Sequence, residues 1–323
     1  MMSGLTLTPD PALTARFAAD LAALIPADDR LGLAVSGGPD SLALLLLAAA
    51  ARSGRIEAAS VDHGLREGSV SDCEMVAALC AQLGIPHSIL SVEWDESPDS
   101  NLQALARVER YALLAEWAKQ RGLAAIATAH HADDQAETLL MRLARGSGLS
   151  GLRGARHKRL LGEGVWLVRP LLGWRRVDLA AIVANAGIEA VTDPANDDPR
   201  HDRTRARRLL RETEWLDPAR LAATAHHLAE ADDALDWALE GLAVSRIAPD
   251  GEALTIDPSG IPRELQRRLL LLAFAQSGAP PPRGPDLSRA MDALDQGQSV
   301  TLAGIKLDGG PVWRLSSAPP RSG

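Results

Sequence analysis

The stretch from Leu31 to Ala51 constrains this chain more than any other. An apolar strand-like run, Leu31 to Val35, meets the turn Ser36-Gly37-Gly38-Pro39-Asp40-Ser41 and then an apolar helix-like run from Leu42. Such a turn aims backbone N–H groups and a helix N-terminus at an anion, and its glycines let a phosphate approach the backbone with no Cβ in the way. The bland alternative is an ordinary helix start capped by Ser36 or Asp40. The lysine of a G-x-x-x-x-G-K-S/T phosphate loop is absent, so a different nucleotide chemistry is expected.

From Leu31 onward, short β-like runs alternate with helix-like stretches, which predicts an α/β fold: a doubly wound, mostly parallel five-stranded sheet. Expected strands are Leu31 to Val35, Ile56 to Asp62, His87 to Val92, Leu123 to Ala129 and Val165 to Leu171, with helices near Leu42 to Ala51, Ser71 to Leu83, Leu102 to Arg121 and Asp133 to Arg145. In such sheets ligands bind at the carboxyl ends of the strands. Beyond Trp215 the composition turns Ala-rich and acidic, and two short strand candidates, Val300 to Leu302 and Val312 to Leu315, close the chain. Two domains are expected: a nucleotide-binding domain, residues 1–213, and a second, smaller, mainly helical one, residues 214–323.

The longest wholly apolar run, Leu42 to Ala51, is too short for a bilayer, which needs about 20 residues, so no membrane span is expected. The first charge is Asp10; with no basic leader, a cytoplasmic location is the default. Cys73 and Cys80 lie seven apart, a spacing that fits neither a metal knuckle nor a redox pair, and are expected to be buried thiols. The net charge is -8, yet from Met141 to Arg211 there are 15 Lys+Arg against 7 Asp+Glu. This concentrated basicity suits an RNA backbone, or else a solvated arginine-rich surface.

Two further blocks sit at expected strand ends. Val61-Asp62-His63-Gly64-Leu65-Arg66 offers polar side chains that could meet a purine or ribose, or simply a turn. In Thr128-Ala129-His130-His131-Ala132-Asp133-Asp134-Gln135-Ala136-Glu137-Thr138, a helix starting at Asp133 puts Asp134 and Glu137 on one face. Two anions converging there need a cation: Mg²⁺, an arginine of the protein, or an ammonium-bearing substrate. Dipole-complementing acidic residues at a helix start are the structural alternative.

Taken in order, S-G-G-x-D-S, V-D-H-G-L-R, N-x-x-x-x-A-R-x-x-R-Y from Asn101 to Tyr111, and the block from Ala129 to Leu152 resemble the tRNA(Ile)-lysidine synthetases, a branch of the N-type ATP pyrophosphatases. The resemblance covers about Leu31 to Arg211. It implies an adenine nucleotide α-hydrolase-like fold and a ligase that uses ATP and Mg²⁺. Such a ligase adenylates C2 of the wobble cytidine in the CAU-anticodon isoleucine tRNA, then joins the ε-amino group of free L-lysine to it, releasing AMP and pyrophosphate. It further implies that Ser36, Gly37, Gly38, Pro39, Asp40 and Ser41 hold the departing pyrophosphate, with Asp40 on Mg²⁺. Asp62 and His63 would border the adenosine, Arg107 and His130 would lie at the phosphates, and Asp134 and Glu137 would hold lysine. Asp40, Arg107, His130 and Asp134 form the implied catalytic set. The family's last block, D-P-S/T-N then R-N-x-I-R, is matched imperfectly by Asp193-Pro194-Ala195-Asn196 and Arg203-Thr204-Arg205-Ala206-Arg207, so Arg203 and Arg207 are carried over as substrate or RNA contacts. Gly146, Gly148 and Gly151 suggest a mobile segment over the site. Oligomeric state is left open, a homodimer included. A thiolase of the same group would need cluster cysteines, an amidating synthetase would need an ammonia-supplying domain, and a mere RNA-binding module would not need all of Asp40, Arg107, Asp134 and Glu137.

Overall fold

The computed structural model describes residues 7–64, 68–92, 94, 102–191 and 202–318. Leu65, Arg66, Asn101 and the Asp193 to Asn196 block lie outside the described residues. The chain divides into two compact units, Met1–Ala229 and Glu230–Gly323.

Among the described residues, the first unit is built on six strands: β1 (Leu31–Ala34), β2 (Ile56–Asp62), β3 (His87–Ser91), β4 (Ala125–Ala127), β5 (Lys158–Gly162) and β6 (Val165–Val168). Their order is β3-β2-β1-β4-β6-β5, and every pairing is parallel except that of β5 with β6. The sheet therefore has one strand more than the five expected. β5 opens on Lys158-Arg159 and lies at the sheet edge, where charged residues are the usual guard against aggregation and make a strand look like surface loop.

Among the described residues the helices up to Glu212 are α1 (Pro11–Ala22), α2 (Pro39–Ala51), α3 (Ser69–Gln82), α4 (Leu102–Arg121), α5 (Ala132–Ala144), α6 (Leu149–Leu152), α7 (Arg176–Asn185) and α8 (Asp202–Glu212). Both faces of the sheet are covered, which is why its strands are apolar rather than alternating. Leu31, Leu33, Ala58, Ala125, Ala127 and Val168 pack with α2, and α2 in turn lies against α1 and α7. Leu42 to Leu47 are all buried there, and each leucine contributes about 2 kcal/mol. On the opposite face Ala59, Ile126 and Leu167 meet Leu114, Trp117 and Ala118 of α4. Gly32 makes room for that ring: a Cβ there would stand 2.7 Å from Trp117 Cζ3 and 2.5 Å from Ile126 Cδ1. Cys73 and Cys80 are buried free thiols on α3, and burial pushes Cys80 up to about 12.

A long helix, α9 (Pro218–Arg246), runs through the boundary between the units. In the second unit α10 (Arg263–Gln276) and α11 (Gly284–Asp295) pack on a five-stranded antiparallel sheet. Its strands are β7 (Ile247–Asp250), β8 (Ala253–Ile256), β9 (Ser299–Leu302), β10 (Ile305–Asp308) and β11 (Trp313–Ser317), in the order β7-β8-β11-β10-β9. Helical residues still predominate, but three of these strands were not expected; each is only four residues long, too short for alternation to register. Phe274, Met291, Leu307 and Trp313 form the core. Buried Arg268 is neutralised by Asp232, Asp236 and Glu264. Among the described residues, no helix is long and apolar enough to cross a membrane.

Candidate active site at the carboxyl edge of the sheet

From β1 the chain continues to β2 and β3 on one side, whereas β4 joins the other side of β1. The carboxyl ends of β1 and β4 thus flank the topological switch point, where open α/β sheets bind ligands. The Ser36 to Ser41 turn follows β1 and the His130-His131 pair follows β4.

The turn is shaped by its own side chains. Ser41 Oγ accepts from the Ser36 amide at 3.1 Å and donates to the Gly38 carbonyl at 2.9 Å. Neither Ser36 nor Asp40 caps α2: its N-cap is Gly38, which has no side chain to offer, and Pro39 follows at the first turn. The helix N-terminus is therefore open to an external anion. Gly37 has φ +80°, and a Cβ there would stand 2.9 Å from Val191 Cγ2, while its carbonyl accepts from the Val191 amide at 3.0 Å. Gly37→Ala is expected to cost about 1–2 kcal/mol of stability through the left-handed conformation, which thermal melting of the two proteins checks.

Asp40 reaches back from α2 toward α5. Its Oδ2 lies 3.4 Å from His131 Nε2, while its buried Oδ1 has no hydrogen-bond partner. His131 caps α5 through a capping box: its Nδ1 accepts from the Asp134 amide at 3.3 Å, and Asp134 Oδ2 accepts from the His131 amide at 3.1 Å. That bond leaves Nε2 as the protonated nitrogen facing Asp40. Burial opposes an imidazolium here, but Asp40, Asp134 and Asp133 outweigh it and raise the His131 pKa.

One turn further along, Glu137 is 2% exposed and clamped by α8: Arg203 Nε donates to Oε2 at 2.9 Å and Arg207 Nε to Oε1 at 2.8 Å. Arg203 Nη2 also lies 3.4 Å from Asp134 Oδ1. Asp134 and Glu137 do converge on one point, and the cation between them is an arginine. Burial works against the Asp134 carboxylate, yet His131 and Arg203 bring its pKa below the ordinary value. An unbroken chain of polar contacts thus runs from Asp40 through His131, Asp134 and Arg203 to Glu137 and Arg207.

His130 has a different environment. Its Nδ1 is 3.0 Å from Thr128 Oγ1. Burial, helped by Arg169, Arg107 and Arg203 and opposed by Asp134, pulls its pKa to about 3, so the ring is neutral at working pH. An unfolded histidine protonates near pH 6.5, so below that pH the unfolded chain binds the extra proton, and His130 lowers stability as pH falls from 6.5 toward 3. His63, His87 and His157 share that direction and His131 has the opposite one. Comparing the parent with His130→Gln isolates the His130 share. Between pH 6.5 and 5 the parent is expected to lose about 2 kcal/mol more than the variant; urea melts at the two pH values measure it.

Of the other expected residues, Asp62 Oδ1 accepts from the Gly64 amide at 2.9 Å and Ser69 Oγ at 2.6 Å, bonds that lower its pKa and shape a turn. His63 Nε2 accepts from Arg110 Nε at 3.2 Å, and its buried Nδ1 has no partner. Arg107 is exposed, its guanidinium 5.0 Å from the Tyr111 ring centroid. Gly146 and Gly148 end α5 and cap the short α6, and Gly151 lies within α6. Just beyond, Gln135 pins Ala155, donating to its carbonyl at 2.9 Å and accepting from its amide at 2.7 Å. Sequence reasoning missed His131 as the link between Asp40 and Asp134, although its place before an acidic helix start is a capping signal. Nor did it single out Arg169, which is buried at the end of β6.

Residues 13–214 match the PP-loop domain family. Over 300 residues the chain is 46% identical to the tRNA(Ile)-lysidine synthase of Zymomonas mobilis subsp. mobilis, covering 92% of this chain and 91% of that one. It is 49% identical over 308 residues to the tRNA(Ile)-lysidine synthase of Novosphingobium aromaticivorans, with 94% and 93% covered. Among solved structures, the U34-tRNA thiolase NcsA from Methanococcus maripaludis with its 4Fe-4S cluster superposes with a TM-score of 0.53 at 16% identity, over 68% of this chain and 80% of that one, a likeness of fold. The matched sequence, the doubly wound sheet and the glycine turn at its switch point agree: the chain belongs to the tRNA(Ile)-lysidine synthase family, ATP-dependent carbon–nitrogen ligases built on a PP-loop domain.

Proposed function

We propose that the protein uses ATP to adenylate C2 of the wobble cytidine in the CAU-anticodon isoleucine tRNA and then joins the ε-amino group of free L-lysine to that carbon. In the first step the base oxygen attacks the α-phosphate and the bond to pyrophosphate breaks. In the second the amine attacks C2, loses a proton, and AMP departs with the oxygen. The observation that carries this reading is the polar chain from Asp40 to Glu137, because it joins the phosphate-binding turn to the acidic face at a single rim of the sheet.

The turn and the open N-terminus of α2 hold the departing pyrophosphate. Asp40 Oδ1, buried and unpartnered, fits a cation. Mg²⁺ takes one or two carboxylates and completes its shell with phosphate oxygens and water. Bound there, Mg²⁺ would neutralise charge on the phosphates. Neutral His130 and cationic Arg107 flank the α-phosphate. Asp134 and Glu137 receive the ammonium groups of lysine, with Arg203 as the cation that holds the two carboxylates together until it arrives. Arg203 and Arg207 then meet substrate or RNA. Residues 1–213 carry the chemistry, and residues 214–323 take the body of the tRNA, in the cytoplasm.

The test is to incubate the protein with ATP, radiolabelled lysine and isoleucine tRNA bearing a CAU anticodon, and in parallel with methionine tRNA. Label is expected on the isoleucine tRNA alone. Label on neither, or on both equally, contradicts the proposed activity or its specificity.

A further inference from the structure

We propose that Arg169 is an anion-binding residue of this site that holds a phosphoryl oxygen on the β4–β6 side of the rim, an inference that rests on the reading above. Arg169 directly follows β6, the strand paired with β4, and its side chain is 3% exposed. Nη1 donates to the Arg156 carbonyl at 2.6 Å, a neutral acceptor, Nε has no partner, and the Tyr111 phenol bears on the guanidinium's charge. Among the described residues no carboxylate pairs with it; the charged groups around it are Arg159 and Arg107, which have the same sign. Both of those guanidiniums stand 5.0 Å from the Tyr111 ring centroid, so three cations gather about one phenol, the only tyrosine in the chain.

A buried charge without a counter-ion is costly, and elsewhere this protein avoids it. Arg268 has three carboxylates, and Glu137 has two arginines. An incoming anion is the partner that Arg169 lacks, and a planar fork of N–H donors suits phosphoryl oxygens. Its position selects which phosphate. Neighbouring strands lie about 4.8 Å apart, so the end of β6 is roughly 10 Å from that of β1, too far for the pyrophosphate in the Ser36 to Ser41 turn. His130 lies on the same side, and the charge of Arg169 bears on it. The fitting groups are the α-phosphate of ATP, carried on into the adenylate, or a backbone phosphate of the RNA.

The experiment compares full-length parent, Arg169→Gln, Arg169→Lys and Tyr111→Phe. It titrates α,β-methylene-ATP with Mg²⁺ in the absence of tRNA, and tRNA transcript in the absence of nucleotide at two salt concentrations. Arg169→Gln is expected to weaken one probe about tenfold, the scale of a lost charge-assisted hydrogen bond, with the lysine requirement unchanged. Arg169→Lys recovers part of the loss. A loss confined to the ATP analogue assigns the anion to the nucleotide; a loss confined to tRNA, with a salt slope reduced by about one, assigns it to the RNA. Tyr111→Phe, which keeps the ring but removes the hydroxyl, is expected to weaken the same probe about threefold and serves if Arg169→Gln does not fold. Unchanged binding of both probes by the folded variants, or a rise in the lysine requirement alone, overturns the inference. Failure of the parent to bind either probe instead overturns the proposed function.

Discussion

Asp40→Asn is expected to lower pyrophosphate release in the presence of tRNA and lysine by about a hundredfold or more, the scale of losing a charged group that stabilises developing phosphate charge. The exchange keeps the shape of the side chain and removes only its charge. It acts on a carboxylate whose Oδ1 is buried and unpartnered, so nothing inside the described protein compensates for it. The fold should tolerate the change, because Asp40 Oδ2 faces one imidazole at 3.4 Å and that bond can be made by an amide oxygen. The Mg²⁺ dependence of ATP-analogue binding should flatten as well. Full activity with a normal melting temperature would remove Asp40 from the chemistry and leave it as a partner of His131.

Glu137→Ala is expected to raise the lysine requirement far more than the ATP requirement, and to loosen α8. Glu137 is the common anion of Arg203 and Arg207 and is almost wholly buried. Its removal leaves two guanidiniums facing an empty site. Breaking a buried pair costs about 3–5 kcal/mol, and the lower figure applies because Arg203 is half-exposed. The two consequences separate experimentally. Glu137→Gln keeps the volume and part of the hydrogen bonding, so it should lose less stability than the alanine variant while still raising the lysine requirement. An unchanged lysine dependence in a folded variant would make Glu137 a residue that only docks α8.

How much of this was legible in the sequence depended on the distance over which a residue acts. The glycine turn, the β2, β3 and α4 spans and the acidic face of α5 are local patterns, and each lies within a few residues of its expected bounds. The reach of Asp40 to His131 joins residues 91 positions apart, and local spacing does not encode it. Nor did the sequence say which cation the acidic pair would meet: Mg²⁺, an arginine and an ammonium all satisfy the same two carboxylates, and only the packing of α8 on α5 selects Arg203 and Arg207. Arg169 looked like one more arginine in a basic stretch. Its burial follows from its place at the end of β6, a fact of topology rather than of composition. The edge strand β5 and the strands β7, β8 and β10 of the second unit were missed because charged edges and four-residue runs give alternation too little length to appear.

We propose that the turn after β1 and the acidic face after β4 act in succession on a single RNA base: activation first, then capture of the amine. Incubating the protein with ATP labelled at the α-phosphate, Mg²⁺ and the CAU-anticodon isoleucine tRNA, with lysine withheld, tests that order directly. Label is expected to travel with the tRNA, in step with released pyrophosphate, and to be discharged as AMP when lysine is added. Label found on lysine, or cleavage of ATP to ADP and phosphate, would contradict it.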